Sequence, residues 1–150
     1  MPTTDPGGGG SSGNVGGGAV DPGLPGGAVD PNDPAGGGAA KLVRPQPGQG
    51  DPHPVSPIRL EASIDGRHVL VKVSWYSGIE PCSVLDSVKV ERTGSEIAIT
   101  PMEGIGDRNA VCIDIAVLKA TIVDLGELEA GGWRIVAPTG DAPPIELTLA

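Results

Sequence analysis

Apolar and polar residues alternate with a period of two over most of the C-terminal part of the chain. In the clearest run, residues 69–75, valine occupies three alternate positions and Trp75 a fourth. This period is typical of β-strands with one buried face. Turn residues such as Asp65-Gly66 and Thr93-Gly94-Ser95 separate one run from the next. The runs predicted to be strands are 58–64, 69–75, 88–90, 97–99, 111–117, 118–125, 133–137 and 145–149.

Residues 110–121 allow two interpretations. Their Ala, Leu and Lys residues favour a helix, whereas their density of β-branched residues favours a strand. Val111, Ile113, Ile115 and Val117 continue the alternation, and the density of β-branched residues makes the strand our prediction. Turn signals at near-regular spacing between about seven or eight short strands indicate an all-β fold. Specifically, we predict a small immunoglobulin-like β-sandwich.

Residues 1–54 differ in composition from the rest of the chain. Glycine and proline make up 41 of the 150 residues, and the first fifty residues hold 16 of the 25 glycines. Such a segment cannot bury enough apolar surface to offset its ordering entropy. A nine-residue repeat at 17–25 and 26–34 has too few copies for a solenoid and fits a spacer. We therefore predict a disordered Gly/Pro-rich linker over 1–54 and a β-sandwich domain over 55–150.

Charge and hydropathy exclude several classes of partner. The net charge is −9, whereas nucleic acids and anionic membranes attract clustered Lys and Arg, so we expect neither. No apolar stretch approaches the length of a membrane span. No secretory signal is visible after Met1. An export signal would therefore have been removed, replaced or missed at the start codon; otherwise the chain is cytosolic.

The two cysteines, Cys82 and Cys112, carry the main information on the compartment. An even cysteine count in a small domain favours a disulfide and an oxidising environment, and a reduced buried pair is the alternative. A domain of this size has a small core, so a bridge would add stability that it needs. If Val111 and Ile113 face the core, Cys112 faces outward. The bridge would then pin the 77–87 loop at a sheet edge.

Two stretches resemble known β-sandwich families. Val69-Leu-Val-Lys-Val-Ser-Trp75 is similar to the second strand of fibronectin type III domains, where an apolar run ends in a core Trp. Leu125-Gly-Glu-Leu128 followed by Gly131-Gly132-Trp133-Arg-Ile135 resembles the corner and late strand of immunoglobulin-like bacterial surface domains. The chain departs from both families, because Trp75 precedes both cysteines and fibronectin type III domains lack the cysteine pair. The resemblance implies a secreted or envelope sandwich, of a kind that can carry a lipid anchor upstream of such a tail.

The residues needed for catalysis or metal binding form no recognisable set. His53 lies in the tail, His68 opens a strand, and no Gly-x-Ser-x-Gly motif accompanies them. A disulfide would remove both candidate thiol nucleophiles. The Cys and His residues lack zinc-site spacing, and the acidic loops at 103–109 and 124–129 match no known calcium loop. A spatial carboxylate pair for glycoside hydrolysis stays open. We expect no catalytic residue, no metal and no cofactor, and hence no enzyme.

Binding of a partner is the remaining type of function. Sandwich domains present loops at their ends and sheet edges for binding, and Ile79 and Ile105 are apolar tips in polar loops. The candidate binding residues are Tyr76, Ile79, Glu80, Ile105, Asp107 and Arg108. We expect a monomeric, non-catalytic binding or spacer module in the extracellular space or bacterial envelope, with an extracellular protein or glycan as partner. The alternative is a protein-protein interaction or protease-inhibitor-like domain that presents a disulfide-braced loop.

Overall fold

The computed structural model describes residues 40–150, and this part of the chain is all-β, with no helix. One sheet contains four of the nine strands and the other contains five. The strands are β1 (Lys41–Leu42), β2 (Gly50–Pro54), β3 (Pro57–Asp65), β4 (His68–Ser77), β5 (Val84–Thr93), β6 (Glu96–Ile105), β7 (Val117–Glu127), β8 (Gly131–Val136) and β9 (Ile145–Leu149). The predicted all-β class is confirmed, with nine strands where seven or eight were expected.

The chain divides into two compact units, and the smaller one contains residues 118–122 and, of its N-terminal part, the described residues 40–44. In this unit β1 pairs in parallel with β7, so that Leu42 lies opposite Ala120. The Val43 amide extends the pairing by donating to the Ala120 carbonyl at 2.8 Å. The side chains of Val43 and Ala120 are buried.

The larger unit, Pro45–Val117 with Val123–Ala150, contains the hairpin of β3 and β4. These strands pair without interruption from Arg59 to Asp65, which lies opposite His68. Gly66 has a φ of 62° and begins the two-residue turn, a backbone conformation that favours glycine. All four inward positions of β4 are fully buried, as the alternation predicted: Val69, Val71, Val73 and Trp75.

The five-stranded sheet lies wholly within the larger unit and has the order β2-β6-β8-β9, with β5 on β6. A second hairpin joins β5 to β6 at the predicted turn, where Gly94 has a φ of 60°. Strands β6 and β8 pair in parallel, and β8 and β9 pair antiparallel. Their inward side chains form a core of β-branched, leucine and tryptophan residues: Ile97, Ile99, Trp133, Ile135 and Leu149.

The structure differs from the predicted domain boundary at residue 54. Residues 50–54 form β2, which pairs with β6 so that His53 lies opposite Glu103. Pro52 and Pro54 argued against a strand here, because proline cannot donate a hydrogen bond to a ladder. An edge strand such as β2 tolerates proline. Residues 40–54 thus belong to the described structure, and the predicted linker over 1–39 lies outside the described residues.

The prediction for residues 111–116 was wrong. They form neither a strand nor a helix, and β7 begins only at Val117. Val111, Ile113 and Ile115 are 92%, 59% and 50% exposed, so the condition that Val111 and Ile113 face the core is not met. From Val117 onward the strand prediction is confirmed and the helix alternative is excluded.

Gly140, between β8 and β9, is packed against the backbone of residues 56–57. A Cβ at this position would lie 2.5 Å from the Pro57 nitrogen and 2.7 Å from the Ser56 carbonyl carbon. Because backbone cannot rotate away as a side chain can, we expect Gly140→Ala to lower the free energy of unfolding by about 1–3 kcal/mol. Urea unfolding followed by tryptophan fluorescence measures the change.

Gly132→Ala is the matched control for this prediction. Its Cβ would meet only the Leu147 carbonyl oxygen, at an ordinary 3.9 Å. We expect a change within about 0.5 kcal/mol, as for most surface substitutions. Equal losses in the two variants would show that close packing at Gly140 is not the cause.

Candidate functional site

A disulfide joins Cys82 to Cys112, with their Cα atoms 5.9 Å apart, as predicted. Cys82 lies in the loop between β4 and β5, and Cys112 lies in the connection between β6 and β7. The bridge therefore links two loops that the sequence separates by 30 positions. Cys112 is exposed and Cys82 is half-buried, so the bridge lies near the surface.

Backbone hydrogen bonds hold the same two loops together. The amides of Gly106 and Asp107 both donate to the Pro81 carbonyl, at 2.9 and 3.2 Å. Within the first loop, the amides of Cys82 and Ser83 both donate to the Ile79 carbonyl at 3.0 Å. The Glu80–Pro81 peptide bond is cis. The disulfide thus reinforces an approach that the backbone already makes.

A third segment, residues 46–51, completes this end of the larger unit. A Cβ on Gly104 would lie 2.6 Å from the Gly50 carbonyl oxygen, and one on Gly106 would lie 2.8 Å from that of Pro81. Only glycine permits such close backbone approach at these two positions. We call residues 46–51, 78–83 and 104–116 the cystine-braced end.

Two aspartates hold the 46–51 segment in place. Asp51 has a φ of 49°, which Asp tolerates better than most residues, and its Oδ2 lies 2.7 Å from Arg108 Nη2. The hydrogen bond and the charge of Arg108 lower the pKa of Asp51. Asp86 Oδ1 accepts hydrogen bonds from the amides of Gly48 and Gln49, at 2.9 and 3.0 Å. The bond from Gln49, then one from Ser87, lowers the pKa of Asp86.

The Asp86 contacts predict an acid-sensitive loop. A carboxylate with a lowered pKa in the folded state stabilises that state above its ordinary pKa, and the effect is lost as pH falls through the folded value. We expect the NMR signals of the Gly48 and Gln49 amides to titrate with a midpoint below 3.8, the ordinary value. Asp86→Asn should abolish this transition and Asp141→Asn should leave it unchanged. A midpoint at or above 3.8 in the unmodified chain would contradict the assignment.

The structure brings the predicted binding loops together but exposes neither apolar tip. Tyr76 is 45% exposed, and Asp107 and Arg108 are also exposed. Ile79, Glu80 and Ile105, by contrast, are half-buried. Arg108 is held by Asp51, which lies in the region predicted to be linker.

The most exposed apolar surface in the described part of the chain lies in a stretch that the sequence analysis predicted to be a strand. All six residues from Val111 to Ala116 are exposed. We call them the apolar segment 111–116. Among residues 40–150, its backbone forms one hydrogen bond, from the Ile115 amide to the Ile113 carbonyl at 3.0 Å. Two features of the sequence could have indicated this exposure: the polar loop that precedes the alternating residues, and Cys112 among them. A loop that a disulfide pins need not continue a sheet.

Comparisons with protein-family models, curated proteins and solved structures found no significant match. Function must therefore be argued from the residues themselves.

The residues that could support chemistry have local partners. Glu103 is buried and accepts a hydrogen bond from Ser77 Oγ at 3.0 Å. His53 Nδ1 lies 3.1 Å from the Asp51 carbonyl oxygen, and His68 Nε2 lies 2.7 Å from Asp124 Oδ1. Among residues 40–150, no group of three or more His, Cys, Asp or Glu side chains is placed to hold a metal ion. The same residues include no helix long and apolar enough to cross a membrane.

Proposed function

We propose that this chain is a non-catalytic binding module that presents its cystine-braced end to an extracellular partner. In this proposal the domain is an immunoglobulin-like β-sandwich, exported or held at a bacterial envelope through its Gly/Pro-rich N-terminal sequence. One observation carries the proposal: three β-branched side chains of the apolar segment 111–116 are exposed beside the disulfide.

Three β-branched side chains exposed on alternate residues of one short segment are unfavourable for a domain that has no partner. Single exposed apolar side chains are ordinary, but a contiguous apolar patch with a polar rim is typical of an interaction site. Here Asp107 and Arg108 supply polar groups beside the segment, and both are exposed. The bridge at Cys112 restricts the segment before binding, which lowers the entropy lost on association.

The exposed position of the bridge supports the proposed extracellular location. Cys112 is exposed, so small reductants can reach the disulfide. Thiol-disulfide exchange depends on such access, and the cytosol keeps accessible cysteines reduced. A bridge at this position would therefore persist in an exported chain and would be reduced in a cytosolic one. The proposal thus includes export to an oxidising compartment.

Site-specific photo-crosslinking in the cells that produce the chain tests the binding surface. A photoreactive amino acid replaces Ile113 in the full chain, and the matched control replaces Ile64, which is 47% exposed on β3. We expect an adduct of defined mass from position 113 and none from position 64. Equal labelling at the two positions, or none at either, would remove the proposal.

A second candidate function is protease inhibition through the same segment. Val111 is 92% exposed and adjoins the bridged Cys112. A pinned, exposed chain segment can enter a substrate cleft by strand addition and resist release after cleavage. A panel of serine, cysteine and metalloproteases decides this alternative. No inhibition at micromolar protein would exclude it, and inhibition that Val111→Asp abolishes would favour it over the first proposal.

A further inference from the structure

The peptide bond between Asp51 and Pro52 has an unusual backbone conformation. Among residues 40–150, Asp51 is the only residue other than glycine with a positive φ, at 49°. Such a conformation carries backbone strain in a residue other than glycine, and strain of this kind is concentrated at functional sites. An aspartate carboxylate can also reach the carbonyl carbon of its own residue, because the attack closes a five-membered ring within one residue.

Two side chains contact the reacting groups of this bond. Arg108 Nη2 lies 2.7 Å from Asp51 Oδ2 and favours the ionised carboxylate. His53 Nδ1 lies 3.1 Å from the Asp51 carbonyl oxygen, which belongs to the Asp51–Pro52 bond itself. A carbonyl oxygen can only accept a hydrogen bond, so Nδ1 is the donor. Glu103 lies opposite His53 in β6 and is a further charged group near the bond.

We propose that the chain cleaves its own Asp51–Pro52 peptide bond. The inference goes beyond the proposed function and does not depend on the apolar segment 111–116. Cleavage gives an N-terminal product, residues 1–51, that contains the Gly/Pro-rich sequence and β1, and a C-terminal product, residues 52–150, that contains β3 to β9. Both cysteines of the bridge lie in the C-terminal product, so the bridge does not join the two. The reaction therefore separates the domain covalently from its N-terminal sequence.

The carboxylate of Asp51 is the nucleophile. Oδ1, the oxygen that Arg108 does not contact in the 2.7 Å bond, attacks the Asp51 carbonyl carbon and forms a cyclic anhydride. His53 Nδ1 stabilises the negative charge that develops on the carbonyl oxygen. The bond from the carbonyl carbon to the Pro52 nitrogen breaks, and the nitrogen takes a proton from solvent and leaves as an amine. Water then opens the anhydride, so water is the only co-reactant and Asp51 becomes a new C-terminus.

Proline at position 52 is a suitable leaving group. The nitrogen of an X–Pro bond is tertiary and carries no N–H, so no ladder hydrogen bond from this residue has to be broken. The sequence contains four further Asp-Pro pairs, at positions 5–6, 21–22, 30–31 and 33–34. These pairs have the same nucleophile and the same leaving group. They are therefore internal references for the reactivity of an Asp-Pro bond without the Arg108 and His53 contacts at Asp51.

Intact-mass measurement of the purified full chain, incubated over days in mildly acid and neutral buffers with protease inhibitors and a chelator, tests the inference. We expect the masses of residues 1–51 and 52–150 to accumulate at least tenfold faster than products of cleavage at any reference bond. Unfolding in urea should lower the rate at Asp51–Pro52 to that of the reference bonds, because the fold no longer positions the reacting groups. Absence of the two products, or equal rates at all five bonds in the folded chain, would overturn the inference.

Variants of the two reacting residues test the assigned roles. Asp51→Gly removes the nucleophile but keeps a residue suited to positive φ, and it should stop cleavage at this bond. His53→Ala should slow cleavage at least tenfold. His68→Ala is the matched control, because it removes a histidine of β4 instead, and should leave the rate unchanged. Cleavage that persists in Asp51→Gly, or equal rates in the two histidine variants, would contradict the mechanism.

Arg108 is a positioning residue, and its role has a separate measurement. The hydrogen bond and the charge of Arg108 lower the pKa of Asp51, so the carboxylate stays ionised to lower pH. In Arg108→Ala the carboxyl group becomes protonated at a higher pH. We therefore expect the acid side of the rate-pH profile to move to higher pH in this variant. An unchanged profile would contradict the role assigned to Arg108.

Discussion

Removing the Cys82–Cys112 bridge is expected to lower the free energy of unfolding by about 3.5 kcal/mol, as the chain-entropy model gives for a loop of about 30 residues. Without the bridge the loop is no longer closed, so the conformational entropy of the unfolded chain is higher. A loss of that size corresponds to a fall in melting temperature on the order of 15–25 °C for a domain of this length. It is a large share of the roughly 5–15 kcal/mol that stabilises a small domain.

Thermal unfolding with and without reductant measures this effect, and a double variant supplies the control. Cys82→Ser with Cys112→Ser should melt at the temperature of the reduced unmodified chain and should not respond to reductant. The backbone contacts from Gly106 and Asp107 to Pro81 do not involve the cysteine side chains, so we expect them to remain in that variant. If reduction leaves the melting temperature of the unmodified chain unchanged, the bridge contributes nothing to stability.

Trp75→Ala is expected to cost about 3–5 kcal/mol of unfolding free energy, since it empties the space of a large core side chain. Trp75 is the largest fully buried side chain in the described part of the chain and lies at the end of β4, opposite Pro57 of β3. The surrounding strands are held by their ladders and cannot close the cavity. Urea unfolding of the variant and the unmodified chain measures the loss.

Trp75→Phe and Tyr76→Ala are the controls for that prediction. The indole Nε1 of Trp75 has no hydrogen-bond partner among the described residues, so phenylalanine removes a buried donor together with part of the ring. Removing an unsatisfied donor offsets part of the lost packing, and Trp75→Phe should cost clearly less than Trp75→Ala. Tyr76 is 45% exposed, so Tyr76→Ala should also cost less. A loss with Tyr76→Ala as large as with Trp75→Ala would contradict this account of the core.

Local chemistry explains which parts of the fold were predictable. The period-two alternation in residues 69–75 and the glycines at 66 and 94 identified two hairpins, because strand and turn preferences act over a few residues. The same local rules missed β2, whose prolines read as linker. Because β2 lies at the edge of the sheet, its prolines need no amide protons to pair on the outer side. The position of a strand in a sheet depends on the tertiary structure, so local sequence rules do not predict it.

For residues 111–116 the error is the opposite one, because the alternation predicted a strand that the structure does not form. A period of two indicates a strand only where a sheet is present to receive it, and here the cystine holds the segment at the surface instead. The cysteine pair itself was predictable from its even count. The approach of Gly106 to Pro81 and the Asp51–Arg108 pair join residues far apart in the sequence, and a single sequence carries no local signal for such contacts.

The proposed function depends on the Cys82–Cys112 bridge being present in the cell, since the bridge both braces the binding end and indicates the compartment. Thiol labelling and intact-mass measurement of the protein, taken from the cells that produce it, test this directly. We expect no label before reduction and two labelled thiols after it. Immediate labelling of both cysteines would contradict the account: the braced end would not exist in the cell, and export would lose its main support.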